Sequence, residues 1–448
     1  MIAILGAGES GVGAAILAKK KGIQTFVSDK NQIKPKYLEL LKKYNIEFEQ
    51  GKHSQEKILT AKEIIKSPGI PETIPILQKA KAKNISIISE IEFASRYTNA
   101  TFIAITGSNG KTTTSTLIYE ILKKAGYDVA LTGNVGKSLA FSLANRDYKY
   151  FVIELSSFQL DNCYTFNPKI AILLNITADH LDRYEYKLEN YIKSKFRLIQ
   201  NHSEEDFFIF WKQDKNIDNY LKTNSIKSKL LTFTLSYDKS ANAYIEKNQV
   251  IINFEHKRLT FNSEDLKIKG KHNLLNAMAA ILAALLVNVP EKSILQTIKT
   301  FPGIEHRLEF VTTINGVSFI NDSKATNVNS VRYALDAIQK PVILILGGID
   351  KGNDYSLIKE LVKEKVTDII ALGLDNEKII KAFGKIKPIY EVKSIEHALE
   401  KAFSLSQPGY SILLSPACAS FDLFQNYIDR GNQFKNAILN LKQKVYED

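Results

Sequence analysis

The sequence predicts an α/β protein of about three nucleotide-binding-type domains, and three observations carry that reading. Apolar runs alternate with helical patterns from residue 1 to about 92, and do so again from about 301 onward, as βαβ units do. Two passages read strand, glycine loop, helix: one around GAGESGVGAA from Gly6, the other around TGSNGKTTT from Thr106. The chain has 448 residues, more than one compact core usually holds.

Taken in order, the first segment offers strands at Ile2 to Leu5, Thr25 to Val27 and Glu63 to Lys66. A second segment begins near Thr101, where TFIAITGSNGKTTTSTLIYEILKKAGYDVAL reads strand, loop, helix, strand, and YFVIELSS and KIAILLNI follow as further strands. From about Phe207 to Lys269 the pattern alternates and is rich in β-formers, which predicts an antiparallel insert closed by a helix from His272 to Asn288. The third segment returns to α/β alternation with PVILILGG, TDIIALG and YSILLSP. The expected domains are therefore 1–92, 93–300 and 301–448.

Composition narrows the function classes. The formal charge of +12 comes from lysines spread over helix faces, such as Lys19 to Lys21 and Lys123 with Lys124, which argues for a soluble surface and against nucleic acid. The longest apolar stretch, Ala277 to Val287, is too short to span a bilayer, so no membrane insertion is expected. The opening strand and glycine turn do not read as a signal peptide, and the expected location is cytoplasmic. Two cysteines, Cys163 and Cys418, give neither a disulfide framework nor a thiolate metal site.

Glycines 6, 8 and 11 have the G-x-G-x-x-G spacing, with Asp29 further on. Such a loop suits a dinucleotide pyrophosphate at a helix N-terminus, and equally suits plain packing of the first helix on the first strand. TGSNGKTTT is more specific. Backbone N–H groups of Gly107, Ser108, Asn109 and Gly110 would cradle phosphates, Lys111 would neutralise the transferring group, and Thr112, followed by Thr113, would offer a hydroxyl to Mg2+. Ile105 stands where the common pattern has its first glycine, and Gly107 serves instead.

Ligands of open parallel sheets sit outside the carboxyl ends of the strands, which singles out Glu154 and His180. Glu154 could hold Mg2+ or cap a helix; His180 could ligate a second cation or be a satisfied loop histidine. Lys195 stands among Lys187, Lys193 and Arg197 and reads from its spacing as part of a solvated basic face. Asn273 and Asn276 share a helix face, either to bond a base or to cap the helix. His306 with Arg307, and Asp322 with Lys324, could reach a nucleotide or serve as ordinary junction and turn residues.

Together TGSNGKTTT, ELSSFQL, NITADHLDRY, GKHNLLNAMAA, EHRLE, NDSKATN and SPACASFDLFQNYIDRGNQF resemble the Mur ligases, the ATP-dependent amino-acid-adding enzymes of peptidoglycan synthesis, in that family's order and across the chain. ELSSFQL and the last motif are most similar to the D-glutamate-adding branch. The resemblance implies a Rossmann-like N-terminal domain, a P-loop ATPase-like central domain and a Rossmann-like C-terminal domain. It also implies that the first glycine loop meets a UDP-sugar rather than NAD, with Gly8, Ser10, Gly11, Asp29, Ser67, Asn134 and His180 near UDP-N-acetylmuramoyl-L-alanine.

By the same resemblance Lys111, Thr112, Asn273, Asn276, Arg307 and Asp322 contact ATP, and two Mg2+ ions fall to Thr112, Glu154, His180 and Lys195. Lys195 corresponds to the family's carbamylated lysine. Lys324, Thr326, Lys351, Ser420, Phe421 and Tyr427 match positions that receive D-glutamate. Lys30 stands where the family commonly places a threonine, and Tyr427 where some members have phenylalanine. A monomer is expected. The rival readings are a nicotinamide oxidoreductase, a folate polyglutamate ligase with the same phosphate loop, and a non-catalytic nucleotide-dependent binding protein.

Overall fold

The computed structural model describes residues 1–338 and 341–447. It is a mixed α/β protein with three sheets, and the chain divides into two compact units. One comprises Met1–Lys267 with Asn273–Phe301, the other Ile268–His272 with Pro302–Asp448.

The first unit carries two sheets. In the N-terminal one, strands Glu47–Gln50, Thr25–Asp29, Ile2–Leu5, Glu63–Lys66 and Ser86–Ile88 lie side by side in that order, all parallel. The connections diverge between Ile2–Leu5 and Glu63–Lys66, so the loops leaving those strands, at Gly6 and Ser67, meet over a switch point where such sheets bind ligands. Ile2–Leu5 is buried at every position, which explains its unbroken apolar sequence.

The central sheet has nine strands. Val129–Gly133, Tyr150–Glu154, Thr101–Thr106, Ile170–Leu173, Phe207–Trp211 and Lys229–Phe233 run parallel, and Ala243–Glu246, Gln249–Phe254 and Lys257–Asn262 complete one edge. Here the expected antiparallel insert is corrected. Phe207–Trp211 and Lys229–Phe233 form a parallel βαβ unit around helix Lys215–Thr223, and only the last three strands pair antiparallel. Asp214 starts that helix by accepting the N–H groups of Asn216 and Ile217. The run FFIFW, apolar at successive positions, is the mark of a strand covered on both faces.

The N-terminal and central sheets are joined through helices. Glu9–Lys20 packs on Leu139–Asn145 so closely that a Cβ at Gly13 would run into Ser138 and Phe141. Glu92, on helix Glu90–Ser95, accepts the backbone N–H groups of Tyr164, Thr165 and Phe166 at 2.9–3.1 Å. Those bonds hold its carboxyl below the usual range although burial opposes them.

Glu90 is the contrasting case. It is 3% exposed and accepts the Ala140 N–H, and its Oε2 has no hydrogen-bond partner among the described residues. Burial pushes its carboxyl up to about 8. A folded-state value above the ordinary 4.5 means that stability is complete at acid pH and lost as pH rises toward 8. Glu90→Gln should therefore raise Tm at pH 8.5, with a gain of roughly 1–4 kcal/mol, and leave it near wild type at pH 5. Thermal melts of both proteins at the two pH values check this.

The second unit holds a six-stranded sheet in the order Glu309–Ile314, Val317–Asn321, Ser411–Ala417, Val342–Gly347, Val366–Leu372 and Ile389–Val392. All pairings are parallel except the edge hairpin Glu309–Asn321. The three expected strands of this segment are present, and the hairpin joins them.

Candidate active site

The phosphate loop leaves the buried strand Thr101–Thr106 and enters helix Lys111–Lys124. Gly107 and Gly110 have φ of +150° and +88°, conformations that side chains resist. The segment after the neighbouring strand braces the loop. Asn175 Oδ1 accepts the Asn109 N–H at 2.9 Å while Asn175 Nδ2 donates to the Asn109 carbonyl at 3.0 Å. The Ser108 hydroxyl donates to the Thr177 carbonyl at 2.9 Å. A Cβ at Gly110 would strike Asn276, whose Nδ2 donates to Asn273 Oδ1 at 3.2 Å. Both asparagines are buried on helix Lys271–Leu286, and Asn276 is the one that abuts the phosphate loop at Gly110.

Lys111 Nζ donates to the carbonyls of Gly107 and Ser108 at 2.7 and 2.9 Å. Lys195 Nζ donates to the same Gly107 carbonyl at 2.9 Å and lies 4.5 Å from the Tyr191 ring. The solvated basic face expected for Lys195 is thus wrong, because the residue is 1% exposed. Tyr191, Ser194, Lys195 and Phe196 are buried on helix Leu188–Phe196, the first three at the i, i+3, i+4 spacing of one face. Burial first, and the Lys111 charge second, push the Lys195 amine well below the ordinary lysine range. An amine of that kind is neutral at a pH where a surface lysine is charged.

Glu154 ends strand Tyr150–Glu154, level with Ile105 on the strand that feeds the phosphate loop. Asn134 Nδ2 donates to its Oε1 at 2.9 Å, and Asn134 N–H donates to its carbonyl at 2.9 Å. Glu154 Oε2 is buried with no hydrogen-bond partner among the described residues. A buried, unpaired carboxylate oxygen is costly by itself and suits a divalent cation, which takes oxygen ligands. Thr112 is buried at the first turn of the loop helix. Lys195 would suit a divalent cation of this kind as a carbamate, which supplies the oxygen that an amine does not. His180 is exposed, sits at φ +52° and meets the Phe158 ring edge-on at 5.1 Å.

At the N-terminal switch point the three glycines differ. A Cβ at Gly6 would run into Ser67, and one at Gly11 into the Gly6 carbonyl, while one at Gly8 would meet nothing within 4 Å. Gly8 precedes helix Glu9–Lys20, on which Ser10 stands half-buried. Asp29 is turned to the loop itself: its two oxygens accept the N–H groups of Ala7 at 2.7 Å and Asn31 at 2.9 Å.

In the second unit Asp322 is buried, accepting the Ser415 hydroxyl at 2.8 Å and the Leu308 N–H at 3.2 Å. Burial raises its carboxyl to about 7 against the pull of Arg307. Arg307 Nε is buried without a hydrogen-bond partner among the described residues. His306 turns inward to Asn321 Nδ2 at 3.0 Å, and the carboxylates of Glu305 and Glu309 beside it are both paired with Lys435. Lys324 Nζ lies 5.6 Å from the Tyr427 ring. Thr326 is half-buried, Ser420 is buried, and Lys351 and Phe421 are exposed.

Two features are not foreshadowed by the sequence pattern. Arg430 is buried and ties the Ser323 and Cys418 carbonyls together at 2.8 and 3.3 Å, although YIDRG is a conspicuous motif. A cleft of about 290 Å³ lined by Gly348, Asp350, Leu374, Lys378 and Asp422 lies at the carboxyl ends of the strands of this sheet.

The sequence matches three families described as Mur ligase MurD-like, N-terminal domain, over residues 1–89, Mur ligase middle domain over 105–284, and Mur ligase, glutamate ligase domain, over 306–418. A protein of Christiangramia forsetii named UDP-N-acetylmuramoylalanine--D-glutamate ligase is 51% identical over 441 residues, 98% of this chain and 99% of that one. The namesake from Porphyromonas gingivalis is 51% identical over 98% of each chain. The one from Chlorobaculum parvum is 37% identical over 98% of this chain and 97% of its own. Among solved structures, the UDP-N-acetylmuramate-alanine ligase MurC of Thermotoga maritima superposes with a TM-score of 0.62 at 18% identity, covering 98% of this chain and 99% of its own. MurF of Acinetobacter baumannii gives 0.60 at 19% identity over 79% and 80%. Fold, motif order and near-complete coverage agree, and the chain belongs to the Mur ligase family.

Proposed function

We propose that the chain joins D-glutamate to UDP-N-acetylmuramoyl-L-alanine at the expense of ATP, in peptidoglycan precursor synthesis. The observation that carries this is the meeting of Lys111 and a buried Lys195 on the Gly107 carbonyl of a phosphate loop, in a chain half identical to relatives named for that reaction. The segments 1–92, 93–300 and 301–448 would hold the UDP-substrate, ATP and the amino acid respectively.

The terminal carboxylate of the UDP-substrate attacks the γ-phosphorus of ATP, giving an acyl phosphate and ADP. The D-glutamate amine then adds to the acyl carbon, loses its proton, and phosphate departs. The backbone N–H groups of residues 107–110 and Lys111 bind the phosphates, and Asn273 with Asn276 fixes the loop that presents them. Thr112, Glu154, His180 and Lys195 would hold two Mg2+ ions, Lys195 as the carbamate that its amine would form with CO2 on release of a proton. When bound, the ions screen carboxylate from triphosphate and stabilise the charge that develops in each step. Arg307 and Asp322 complete the ATP contacts, and Lys324, Thr326, Lys351, Ser420, Phe421 and Tyr427 receive D-glutamate.

Phosphate release by the purified protein with ATP, Mg2+ and UDP-N-acetylmuramoyl-L-alanine tests this. D-glutamate should support release, whereas L-glutamate, D-alanine and a diamino acid should not; release with another acceptor alone would move the chain to a sister activity.

The glycine loop gives a sharper check on the UDP-substrate. Gly8→Ala meets no protein atom and should leave Tm unchanged while raising KM for the UDP-substrate roughly tenfold, because the added methyl stands where the diphosphate approaches the helix N-terminus. Gly11→Ala overlaps the Gly6 carbonyl and should instead lower Tm, by an amount equivalent to roughly 1–3 kcal/mol. Equal behaviour of the two variants in melts and kinetics would reject the assignment.

A further inference from the structure

We propose that Arg183 is a positioning residue that holds the N-terminal turn Ser67–Ile70 against the His180 loop of the central sheet, an inference that rests on the UDP-substrate reading above. Arg183 belongs to NITADHLDRY and takes no part in the phosphate, metal or glutamate contacts described above. Its guanidinium donates to the carbonyls of Pro68 at 3.4 Å and Gly69 at 3.5 Å, across more than a hundred residues of sequence. Lys66 donates to the Ile70 carbonyl at 3.0 Å while paired with Glu72. Three successive carbonyls of one turn are therefore held by cations, one of them supplied by the central sheet.

The turn has no freedom on its inner side. Ser67 N–H donates to the Leu5 carbonyl at 2.9 Å and its hydroxyl to the Gly6 carbonyl at 3.4 Å, with no room for even a methyl between Gly6 and Ser67. Movement of the turn is movement of the glycine loop. On the outer side Arg183 lies 4.5 Å over the Phe158 ring, the same ring that His180 meets edge-on and Tyr184 stacks on at 6.0 Å. Phe158 stands four residues after Glu154. One aromatic ring thus seats both His180 and the arginine that grips the substrate turn. The planar fork of arginine reaches the two adjacent carbonyls with separate nitrogens, Nη1 and Nη2, in a fixed geometry that a lysine ammonium lacks.

The consequence for catalysis is geometric. A substrate bound at one end by the glycine loop and reacting at the other beside the phosphate loop needs the distance between those loops fixed, because misplacement at the reacting atoms is expensive. Arg183→Gln should raise KM for UDP-N-acetylmuramoyl-L-alanine by roughly tenfold and leave KM for ATP within about twofold. Arg183→Lys should recover part of the loss. Phe158→Leu should shift the same constant in the same direction, and the double variant should be less impaired than the sum of the two.

Hydrogen–deuterium exchange of the 64–72 segment in the ligand-free protein reads the contact without substrate: faster exchange in Arg183→Gln is expected at unchanged Tm. Unchanged exchange, an equal rise in both KM values, or no difference between the lysine and glutamine variants would overturn the proposal. Should the wild type fail to use the UDP-substrate at all, the functional reading falls, while the exchange result still decides the contact.

Discussion

Glu154→Gln should cost about a thousandfold or more in turnover and leave Tm unchanged or slightly higher. Both halves come from one atom. Glu154 Oε2 is buried and without a hydrogen-bond partner among the described residues, whereas Oε1 accepts a hydrogen bond from Asn134 Nδ2 at 2.9 Å. A glutamine carbonyl keeps the Asn134 bond, and the amide replaces a buried charge with a neutral group, which removes a desolvation penalty from the folded state. The same exchange removes the carboxylate proposed to hold Mg2+. Loss of roughly 4 kcal/mol of transition-state stabilisation corresponds to the thousandfold effect. Steady-state phosphate release and a thermal melt on the same preparation check it. A variant that loses activity together with stability would make Glu154 a structural residue, and one that keeps activity would remove it from the site.

Much of this arrangement is legible in the amino-acid sequence. The parallel strands are buried on both faces, so IAIL, FVIE and IAIL again in the central sheet announce themselves as short apolar runs, and the glycine loops that follow mark where the chain must turn with positive φ. The hairpin Glu309–Asn321 does not announce itself, because it is an edge ribbon whose strand Glu309–Ile314 is buried at only its last position. The antiparallel expectation for 207–269 failed where a polar helix of nine residues, Lys215–Thr223, with a single buried position, hides between two strands.

Lys195 shows the limit most clearly. Sequence neighbours two apart on a helix point to nearly opposite sides, so the basic company of Lys193 and Arg197 says nothing about Lys195. The informative neighbours are Tyr191 and Ser194, at i−4 and i−1 of a buried stripe. Asp322 and Arg430 are opaque for a different reason: their burial depends on strands and turns roughly ninety to a hundred residues away, at Ser415 and Ser323 respectively. Local patterning does not carry that information.

Lys195→Met should abolish turnover, by about a thousandfold or more, in a protein at least as stable as wild type at neutral pH. The Lys195 amine sits below the ordinary 10.5 in the folded chain, because burial and the Lys111 charge both disfavour its ammonium form. With the folded value depressed, the unfolded chain binds the extra proton between that value and 10.5. Stability attributable to this group therefore rises with pH across the window and is lowest below it. Methionine matches the lysine stem in length and brings no charge to bury, so the variant should lose that pH-dependent increment and gain most at the acid end. A merely structural lysine would give the stability result alone. The carbamate adds a second dependence: the neutral amine consumes CO2, so wild-type turnover should fall in degassed buffer and recover on adding bicarbonate, more sharply toward acid pH, where less of the amine is neutral. Lys195→Met should show no response to either treatment, and a wild type indifferent to CO2 would leave the amine itself, rather than its carbamate, at the Gly107 carbonyl.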